Sequence, residues 1–493
     1  MSAPSNVGIF GSLSFLAKDT LLYGFANAFS KLISVIVFPL LTRHFSVDSF
    51  GKIDILFALS NLMLIIFVFG QDSAVARFYY EYDKDETKQK EVVSWSLYIQ
   101  LVVGFILLPI LFYNADFISN KFTGTEDNVY LIFLILASVP FGIMINFSSN
   151  ILKWTFKRGE FLMITMGSSI TYLSLVALAI MFFDPTIIDI FYTYLLSRVI
   201  FSLIGFLYIK KYITPVKDYK IFKDLMHYAV PYGLICVIAA AIPSLDRYFI
   251  ANKLDEFNLG IYAVGYKVAS LLSYPVTAFQ TAWGPFYLSI FKEKNIDQTF
   301  NEVLSVFSAV IFFLVLSVVL TSDIIVTTLA SEKYLMSVPI VFPIVLSVAI
   351  IAIKDVSTIG IDLSMKTQYR LYSSLINLGT IVGFILLLIR PFGIMGVAYS
   401  LVLGSLIQIF FEVYTANKVN SIRFSFKSTL FLFFLVFISG LCVHLVDVSH
   451  GIFYVIAFRL LILSLFTILA ILSIPRHLLT LLILQIKVRW KKK

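Results

Sequence analysis

Apolar stretches long enough to cross a bilayer recur along this chain, and they constrain its fold more than any other feature. A transmembrane helix needs about 20 apolar residues, because each residue rises ~1.5 Å through a hydrocarbon core ~30 Å thick. Composition agrees, since the 493 residues are 59% hydrophobic and only 14% charged, whereas soluble domains carry roughly 25% charged residues. The sequence therefore predicts an all-α membrane protein with about 14 transmembrane helices.

Two blocks of six spans and a final pair account for these stretches. The predicted spans are Leu21–Leu41, Ile55–Ala76, Val92–Tyr113, Val129–Ser149, Phe161–Phe183, Ile187–Ile209; Tyr228–Ile250, Ile261–Gly284, Val303–Leu320, Val338–Ile353, Leu371–Ile389, Gly393–Thr415; Lys427–Val446 and Ile452–Ser473. Lys and Arg alternate strongly between successive loops, with about 27 on one side and about six on the other. By the positive-inside rule, both chain termini are predicted to be cytoplasmic, and the basic tail after Arg476 suits an anionic lipid surface.

An internal repeat relates the two six-span blocks. Tyr23-Gly24 matches Tyr232-Gly233, and the same offset places Gly51 on Gly260. Blocks with an even number of spans enter the membrane from the same side, so a pseudo-twofold axis along the membrane normal should relate them. We predict an N-terminal lobe at 1–209, a C-terminal lobe at 210–415, and two further helices with a basic tail at 416–493.

Enzyme and metal motifs are not found in the sequence. It contains no phosphate-binding loop ending in Gly-Lys-Ser/Thr and no His-Glu-x-x-His zinc motif. Cys236 and Cys442 each lie in an apolar run and offer no metal spacing. The net charge is +9, but the sequence shows no soluble domain that could present a basic surface, so nucleic acid is not an expected partner. We expect a protein that is not an enzyme and has no cofactor.

Five cations interrupt the spans, and these are Lys31, Arg198, Arg247, Lys267 and Arg459. A cation at mid-bilayer costs roughly 2.5–3.5 kcal/mol on insertion scales, so it normally faces a wet cavity or a partner. For Lys31 and Arg198, near mid-span, contact with a polar or anionic cargo is favoured over a structural ion pair. Arg247 and Lys267 lie nearer helix ends, where snorkelling is an equal alternative. Packing or snorkelling is favoured for Arg459.

Acidic residues in the spans are fewer, and Asp72 and Asp246 are the candidates for binding a coupling proton or Na⁺. Ion pairing with a nearby base is an equal or better explanation of both. Asp246 and Arg247 are adjacent, so on a helix they point about 100° apart and at least one needs another partner. Prolines, including Pro231 and Pro243 in the seventh span, permit bending of the kind a gate requires.

Three stretches resemble the polysaccharide repeat-unit exporters, or O-antigen flippases, of the superfamily that includes the multidrug-and-toxin extruders and the lipid II flippases. One runs from Phe38-Pro39-Leu40-Leu41-Thr42-Arg43 to Ser49-Phe50-Gly51, and another is Gly70 with Ala74 and Ala76-Arg77. The third and most specific stretch comprises Pro231, Leu245-Asp246-Arg247-Tyr248, Leu259-Gly260-Ile261-Tyr262, Tyr266-Lys267 and Trp283-Gly284-Pro285-Phe286.

The resemblance implies a two-lobed transporter of the bacterial inner membrane. It would move an undecaprenyl-diphosphate-linked oligosaccharide to the outer leaflet by alternating access. Its expected partners are membrane lipids, a polysaccharide polymerase and other assembly proteins. Lys31, Arg198, Arg247 and Lys267 are then the expected substrate contacts. A multidrug-extruder-like, ion-coupled drug or metabolite antiporter is the second interpretation, although cationic drugs would favour interior acids. A polymerase ranks third, because the outer loops are short.

Overall fold

The computed structural model describes residues 29–82, 85–124, 128–291, 296–364, 368–420, 422–443 and 452–474, with single residues 26 and 366. Within these ranges the chain is helical and contains no strand. Tyr23, Gly24 and the basic tail after Arg476, which carried sequence predictions, lie outside the described residues. The all-α fold with many apolar helices is confirmed.

Eighteen helices, α1 to α18, follow one another in the described ranges, joined in places by short 3₁₀ turns. Their bounds are α1 29–44, α2 Val47–Val68, α3 Gln71–Glu81, α4 Glu86–Tyr113, α5 Ala115–Thr123, α6 Val129–Trp154, α7 Arg158–Phe182, α8 Ile187–Ile209, α9 Tyr219–Lys253, α10 Glu256–Ala269, α11 Ser273–Ile290, α12 Ile296–Leu320, α13 Ser322–Leu329, α14 Val338–Ser357, α15 Ile359–Leu363, α16 Gln368–Val419, α17 Lys427–Val443 and α18 Ile452–Ser473.

Every predicted span overlaps helical residues, but not every span is one uninterrupted helix. The predicted span Ile261–Gly284 is broken by a 3₁₀ turn at Ser270–Leu272, just before Pro275. The two spans predicted on either side of Arg390 both lie in α16, where the backbone leaves helical geometry at Gly393, whose φ is +56°, and folds back so that Gln408 and Glu412 contact Ser373 and Arg370. Ten helices of the described chain are long and apolar enough to cross a membrane. The number fourteen therefore stays a prediction.

Helix starts follow ordinary capping chemistry. The side chain of Ser46 accepts a hydrogen bond from the Ser49 amide and begins α2, and Asp85 does the same for α4 through the Lys88 amide. Thr186 and Asp189 form a reciprocal capping box at the start of α8. Such caps satisfy amide groups that a helix cannot pair internally, so these residues fix where the helices begin.

Two compact units divide the chain, residues 1–260 and 261–493. In the first unit, α6 packs on α8 and α7, and α2 packs along α9. In the second unit, α14 packs on α16, and α12 packs on α17 and α18. The lobe boundaries predicted at 209/210 and 415/416 stay predictions. The two compact units are defined by packing and meet at 260/261, which places α9 in the first unit, and they do not test the sequence repeat.

Backbones approach closely where α2 meets the start of α10, inside the first unit. A Cβ built on Gly51 would lie 2.7 Å from the amide nitrogen of Gly260, closer than side-chain atoms normally come. Ion pairs flank this contact, with Lys52 Nζ 2.9 Å from Glu256 and Arg247 Nε 2.5 Å from Asp54. Gly51 and Gly260 are the pair that the repeat offset equates, and only glycine permits this approach.

Candidate functional site

Arg198 is held in a fixed orientation on α8. Its guanidinium carbon lies 4.1 Å from the centre of the Tyr194 ring, at the distance of a cation–π contact. Its Nη1 donates to the carbonyl and the hydroxyl of Ser138 on α6, both at 3.3 Å. In the part of the chain that the structure describes, no carboxylate lies within ion-pairing distance of Arg198. The charge is thus positioned without being neutralised.

Gly142 makes this position possible. A Cβ built on Gly142 would lie 2.7 Å from Nη1 of Arg198 and 3.0 Å from its guanidinium carbon. Any larger residue on this face of α6 would therefore have to displace the guanidinium. Since Ser138 lies one helical turn before Gly142, one turn of α6 supplies both the hydrogen-bond acceptors and the space.

A cavity of about 410 Å³ opens beside Arg198 and is built entirely within the first unit. Its walls come from α1, α2, α6, α7 and α8. The lining residues are Ser30, Leu64, Gly142, Ile145, Asn146, Ser149, Asn150, Lys153, Phe161, Thr165, Ser168, Ser169, Tyr172, Tyr194, Ser197 and Arg198. The volume lies in the usual range for small-molecule sites, roughly 300–1,000 Å³.

Two cations and no carboxylate line this cavity. The second cation, Lys153, lies in the last turn of α6 and is half-buried. Arg198 packs against α6 at Gly142, and Lys153 lies eleven residues further along the same helix. The two points on α6 are therefore roughly 16 Å apart. A cavity with this lining attracts anionic groups and repels cationic ones.

Two hydroxyls at the cavity wall have no hydrogen-bond partner. The Tyr172 hydroxyl and the Ser149 Oγ are both buried and unpaired within the described residues. A buried polar group without a partner costs about 1–3 kcal/mol, so such groups are rare in folded proteins.

The two lysines predicted to contact substrate are not among the residues that line this cavity. Lys31 is exposed on α1, and Lys267 is half-buried on α10 in the second unit. Of the four predicted substrate contacts, Arg198 is thus the one that lines the first unit's cavity. The assignment of Lys31 and Lys267 to substrate stays a prediction.

Arg247 is paired within the protein. It is only 5% exposed, its Nε lies 2.5 Å from Asp54 on α2, and its Nη1 donates to the Pro243 carbonyl at 2.8 Å. The neighbouring Asp246 is fully buried. The geometry thus favours the structural ion pair over substrate contact for Arg247, and it links α9 to α2.

Asp72 lies in the first turn of α3 and is half-buried, and its Oδ1 accepts a hydrogen bond from the Ser73 amide at 2.8 Å. Its helix-start position gives the carboxylate a local structural role. Binding of a proton or Na⁺ at Asp72 or Asp246 stays a prediction.

Several charged side chains of the second unit have a close partner of opposite charge. Arg459 on α18 makes a bidentate pair with Asp323 on α13, at 2.9 and 2.7 Å, which agrees with the packing role expected for it. Deeper in the unit, Glu412 on α16 pairs with both Lys354 and Arg370. Its two oxygens also accept hydrogen bonds from Ser373 at 2.5 Å and Thr358 at 3.0 Å.

Sequence reasoning missed most of the cavity. Lys153 lies beyond the predicted span Val129–Ser149, yet it belongs to the last turn of α6. The polar face of α7 was not singled out, yet Thr165, Ser168, Ser169 and Tyr172 follow the i, i+3, i+4, i+7 spacing of one helix face. That spacing was the signal that could have found the wall opposite Arg198.

A family model for polysaccharide biosynthesis proteins matches residues 16–291. The chain belongs to this family. The match covers more than half of the sequence and includes α1 to α11, and so the whole cavity. An uncharacterized membrane protein of Haemophilus influenzae is 23% identical over 286 residues, which are 57% of this chain and 67% of that one.

Solved transporters share the fold of this polysaccharide biosynthesis protein. The lipid II flippase MurJ, in an inward closed conformation, superimposes with a TM-score of 0.73 at 16% identity, covering 93% of this chain and 100% of that one. An inward-facing multidrug resistance transporter of the MATE family in the MOP superfamily gives a TM-score of 0.66 at 14% identity, covering 79% and 94%. At these identities the similarity shows a shared fold alone, whereas the family match bears out the resemblance predicted from the sequence motifs.

Proposed function

We propose that this protein is a flippase that carries an undecaprenyl-diphosphate-linked oligosaccharide from the cytoplasmic to the outer leaflet of a bacterial inner membrane by alternating access. Its family acts in polysaccharide biosynthesis, and its fold resembles that of a lipid II flippase. Export of a polysaccharide repeat unit, as in O-antigen synthesis, is an activity that accounts for both the family and the fold similarity. Both chain termini are cytoplasmic in this proposal, and a polysaccharide polymerase is a partner on the outer side.

The observation that carries the proposal is the sign of the charge in the first unit's cavity. Arg198 and Lys153 line it, and none of its lining residues is acidic. A lipid diphosphate needs such cations, because moving an uncompensated anion into a low-dielectric layer is very costly. The polyprenyl chain has no such requirement and can remain in the bilayer.

Leaflet exchange in reconstituted vesicles tests the proposal directly. The purified protein is placed in liposomes that contain a fluorescent polyprenyl-diphosphate-linked oligosaccharide, and the fraction accessible to an external glycosidase is followed. We expect exchange at least tenfold faster than in protein-free vesicles. A matched polyprenyl glycoside without the diphosphate should exchange poorly. Exchange no faster than in protein-free vesicles would contradict the proposal.

An ion-coupled drug or metabolite antiporter is the second candidate, supported by the fold similarity to a multidrug transporter. The same vesicles answer this question when loaded with ethidium under an imposed proton or Na⁺ gradient. Because the cavity lining is cationic, we expect no ethidium transport. Gradient-driven ethidium movement, with no exchange of the lipid-linked glycan, would replace the flippase proposal.

Ion coupling is proposed through Asp72 or Asp246 and is tested in the glycan assay. Exchange rates are compared with and without a proton or Na⁺ gradient, for wild type, Asp72→Asn and Asp246→Asn. We expect the gradient to accelerate the wild type and one of the two variants to lose that acceleration. Gradient-independent exchange by the wild type would remove both residues from this role.

A further inference from the structure

A second cavity, of about 500 Å³, opens where α12, α17 and α18 meet in the second unit. It shares no lining residue with the first unit's cavity. We propose that it binds the headgroup of an anionic phospholipid, and that a glycerol headgroup, as in phosphatidylglycerol, fits it best. This site does not depend on the proposed flippase function, since it is defined by residues far in sequence from Arg198.

Hydrogen bonds hold the three helices around the cavity. Ser428 on α17 donates to the Ser473 carbonyl on α18 at 3.3 Å, so the first turn of α17 lies beside the last turn of α18. The hydroxyls of Ser308 on α12 and Thr429 on α17 lie 2.9 Å apart. The cavity is therefore bounded on three sides by helices that contact one another.

Asn301 on α12 fixes the segment that precedes α17. Its Oδ1 accepts a hydrogen bond from the Ser425 amide at 2.5 Å, and its Nδ2 donates to the Arg423 carbonyl at 2.8 Å. The rings of Phe300 and Phe424 also stack, with their centres 6.2 Å apart and 7° between their planes. The part of the cavity wall that carries Ser425 is therefore attached firmly to α12.

Five polar side chains line the cavity, and one of them is charged. They are Ser305, Ser425, Lys427, Ser428 and Ser473. Lys427 is exposed and forms no ion pair with any residue that the structure describes. None of the lining residues is acidic, and Glu302, three residues before Ser305, lines a separate cavity against α11. A single positive charge suits a phosphate diester, which carries a single negative charge.

The serines of the cavity offer one free donor and several acceptors. The Ser425 hydroxyl makes no hydrogen bond within the described ranges, so it can donate to a phosphate oxygen. Ser305, Ser428 and Ser473 donate to backbone carbonyls at 2.9, 3.3 and 2.7 Å, so these hydroxyls retain acceptor capacity. A glycerol headgroup brings hydroxyl donors for these acceptors, whereas a choline headgroup has none.

Apolar side chains lie next to this polar group, further along the same helices. Phe431 follows Lys427 by one turn of α17, and Leu469 precedes Ser473 by one turn of α18, which places each about 6 Å further from the helix end. Phe431 and Leu472 are 47% and 73% exposed. Because α17 and α18 are apolar helices, these exposed side chains suit acyl chains. Polar groups at helix ends above apolar ones match a phospholipid at a membrane surface.

Native mass spectrometry of the delipidated, detergent-solubilised full chain tests the site. The protein is titrated with phosphatidylglycerol and with phosphatidylcholine that has the same acyl chains. We expect the first phosphatidylglycerol to bind the wild type about five- to tenfold more tightly than phosphatidylcholine, as one lysine beside an anionic headgroup would provide. Lys427→Gln should abolish this preference. Lys418→Gln, at an exposed position in the last turn of α16 and outside the cavity, is the control and should bind as wild type.

Ser425→Ala provides a second variant in which folding is not at risk, because the hydroxyl it removes has no partner within the described residues. We expect it to weaken phosphatidylglycerol binding about two- to fivefold, as the loss of one hydrogen bond would. Unchanged affinity would contradict the assignment of this hydroxyl to the phosphate.

Glycerol 3-phosphate, added as a competitor, separates a lipid site from a site for a free phosphate ester. We expect it not to displace phosphatidylglycerol at equal concentration, because it lacks the acyl chains. Displacement at equal concentration would assign the cavity to a soluble phosphate and refute the lipid site. Equal wild-type binding of the two phospholipids, or an unchanged preference in Lys427→Gln, would also refute it.

Discussion

Two charged side chains, Glu412 in the second unit and Arg198 in the first, are held in different ways. In the second unit, Glu412 is 1% exposed and is surrounded by Lys354, Arg370, Ser373 and Thr358. In the first unit, Arg198 is oriented by a ring and a serine but has no carboxylate within the described chain. Both arrangements are specific, yet only the Glu412 cluster is complete without an outside partner.

This difference distinguishes charged residues that hold helices together from those that are available to bind a ligand. The Glu412 cluster joins α14 to both halves of α16, so it secures the packing of the unit. The Arg198 arrangement joins α8 to α6 through a neutral serine, and its charge remains available to the cavity. Substitutions should therefore affect stability in one region and transport in the other.

Glu412→Gln should produce the largest loss of stability. Removing one partner of a buried ion pair leaves uncompensated charge, so we expect the free energy of unfolding to fall by about 3–5 kcal/mol. Unfolding in mixed micelles with rising SDS measures this change. Glu81→Gln, at an exposed position on α3, is the control and should stay near wild type. A loss below about 1 kcal/mol for Glu412→Gln would break the comparison.

Asp54→Asn tests the ion pair in the first unit. It removes the partner of Arg247, and since Asp54 is itself 22% exposed, we expect a smaller loss of about 2–3 kcal/mol. The double variant Asp54→Asn/Arg247→Gln should recover part of that loss, because neither charge is then left alone. Additive losses in the same unfolding assay would show that the two residues are not coupled.

Gly51→Ala tests whether the close backbone packing next to this ion pair contributes to the free energy of unfolding. The added Cβ would meet the Gly260 backbone at 2.7 Å, so we expect a loss of about 1–2 kcal/mol. Gly379→Ala is the matched control, since a Cβ there would meet nothing within 4 Å. That control should be neutral or stabilising by up to ~1 kcal/mol, because alanine favours the helix. Similar effects at both positions would argue against the close approach.

Arg198→Gln should have the smallest effect on stability. No protein carboxylate loses its partner, so the free energy of unfolding should change by no more than about 1 kcal/mol. A loss comparable with that of Glu412→Gln would place Arg198 among the structural charges. The comparison is sharpest when both variants are purified and unfolded under the same conditions.

Much of the fold was predictable because the membrane imposes a simple rule on sequence. Helical spans follow from runs of apolar residues, and Gly393 and Pro275 lie near the observed interruptions. What could not be predicted was the local geometry of each interruption. The chain folds back at Gly393, whereas Ser270–Leu272 adopts a 3₁₀ turn, and these outcomes depend on neighbours distant in sequence.

The site was predictable only where a residue was anomalous by itself. Arg198 stands out because a charge in a span is costly, and the structure places it in a cavity. The partner of Arg247 lies 193 residues away in sequence, so the same rule could not tell a paired cation from one that lines a cavity. Serine and threonine carry little cost in a helix, which is why the cavity wall gave no comparable signal.

Ligand-dependent stability tests the central claim most directly, namely that Arg198 serves an anionic cargo. Thermal unfolding of the detergent-solubilised protein is followed with rising concentrations of the polyprenyl-diphosphate-linked oligosaccharide, and Arg390→Gln, at an exposed position on α16, is the control. A ligand at 100 times its Kd stabilises the folded state by about 2.7 kcal/mol. We predict this stabilisation for wild type and Arg390→Gln, and its loss in Arg198→Gln. Equal stabilisation of all three proteins would contradict the account.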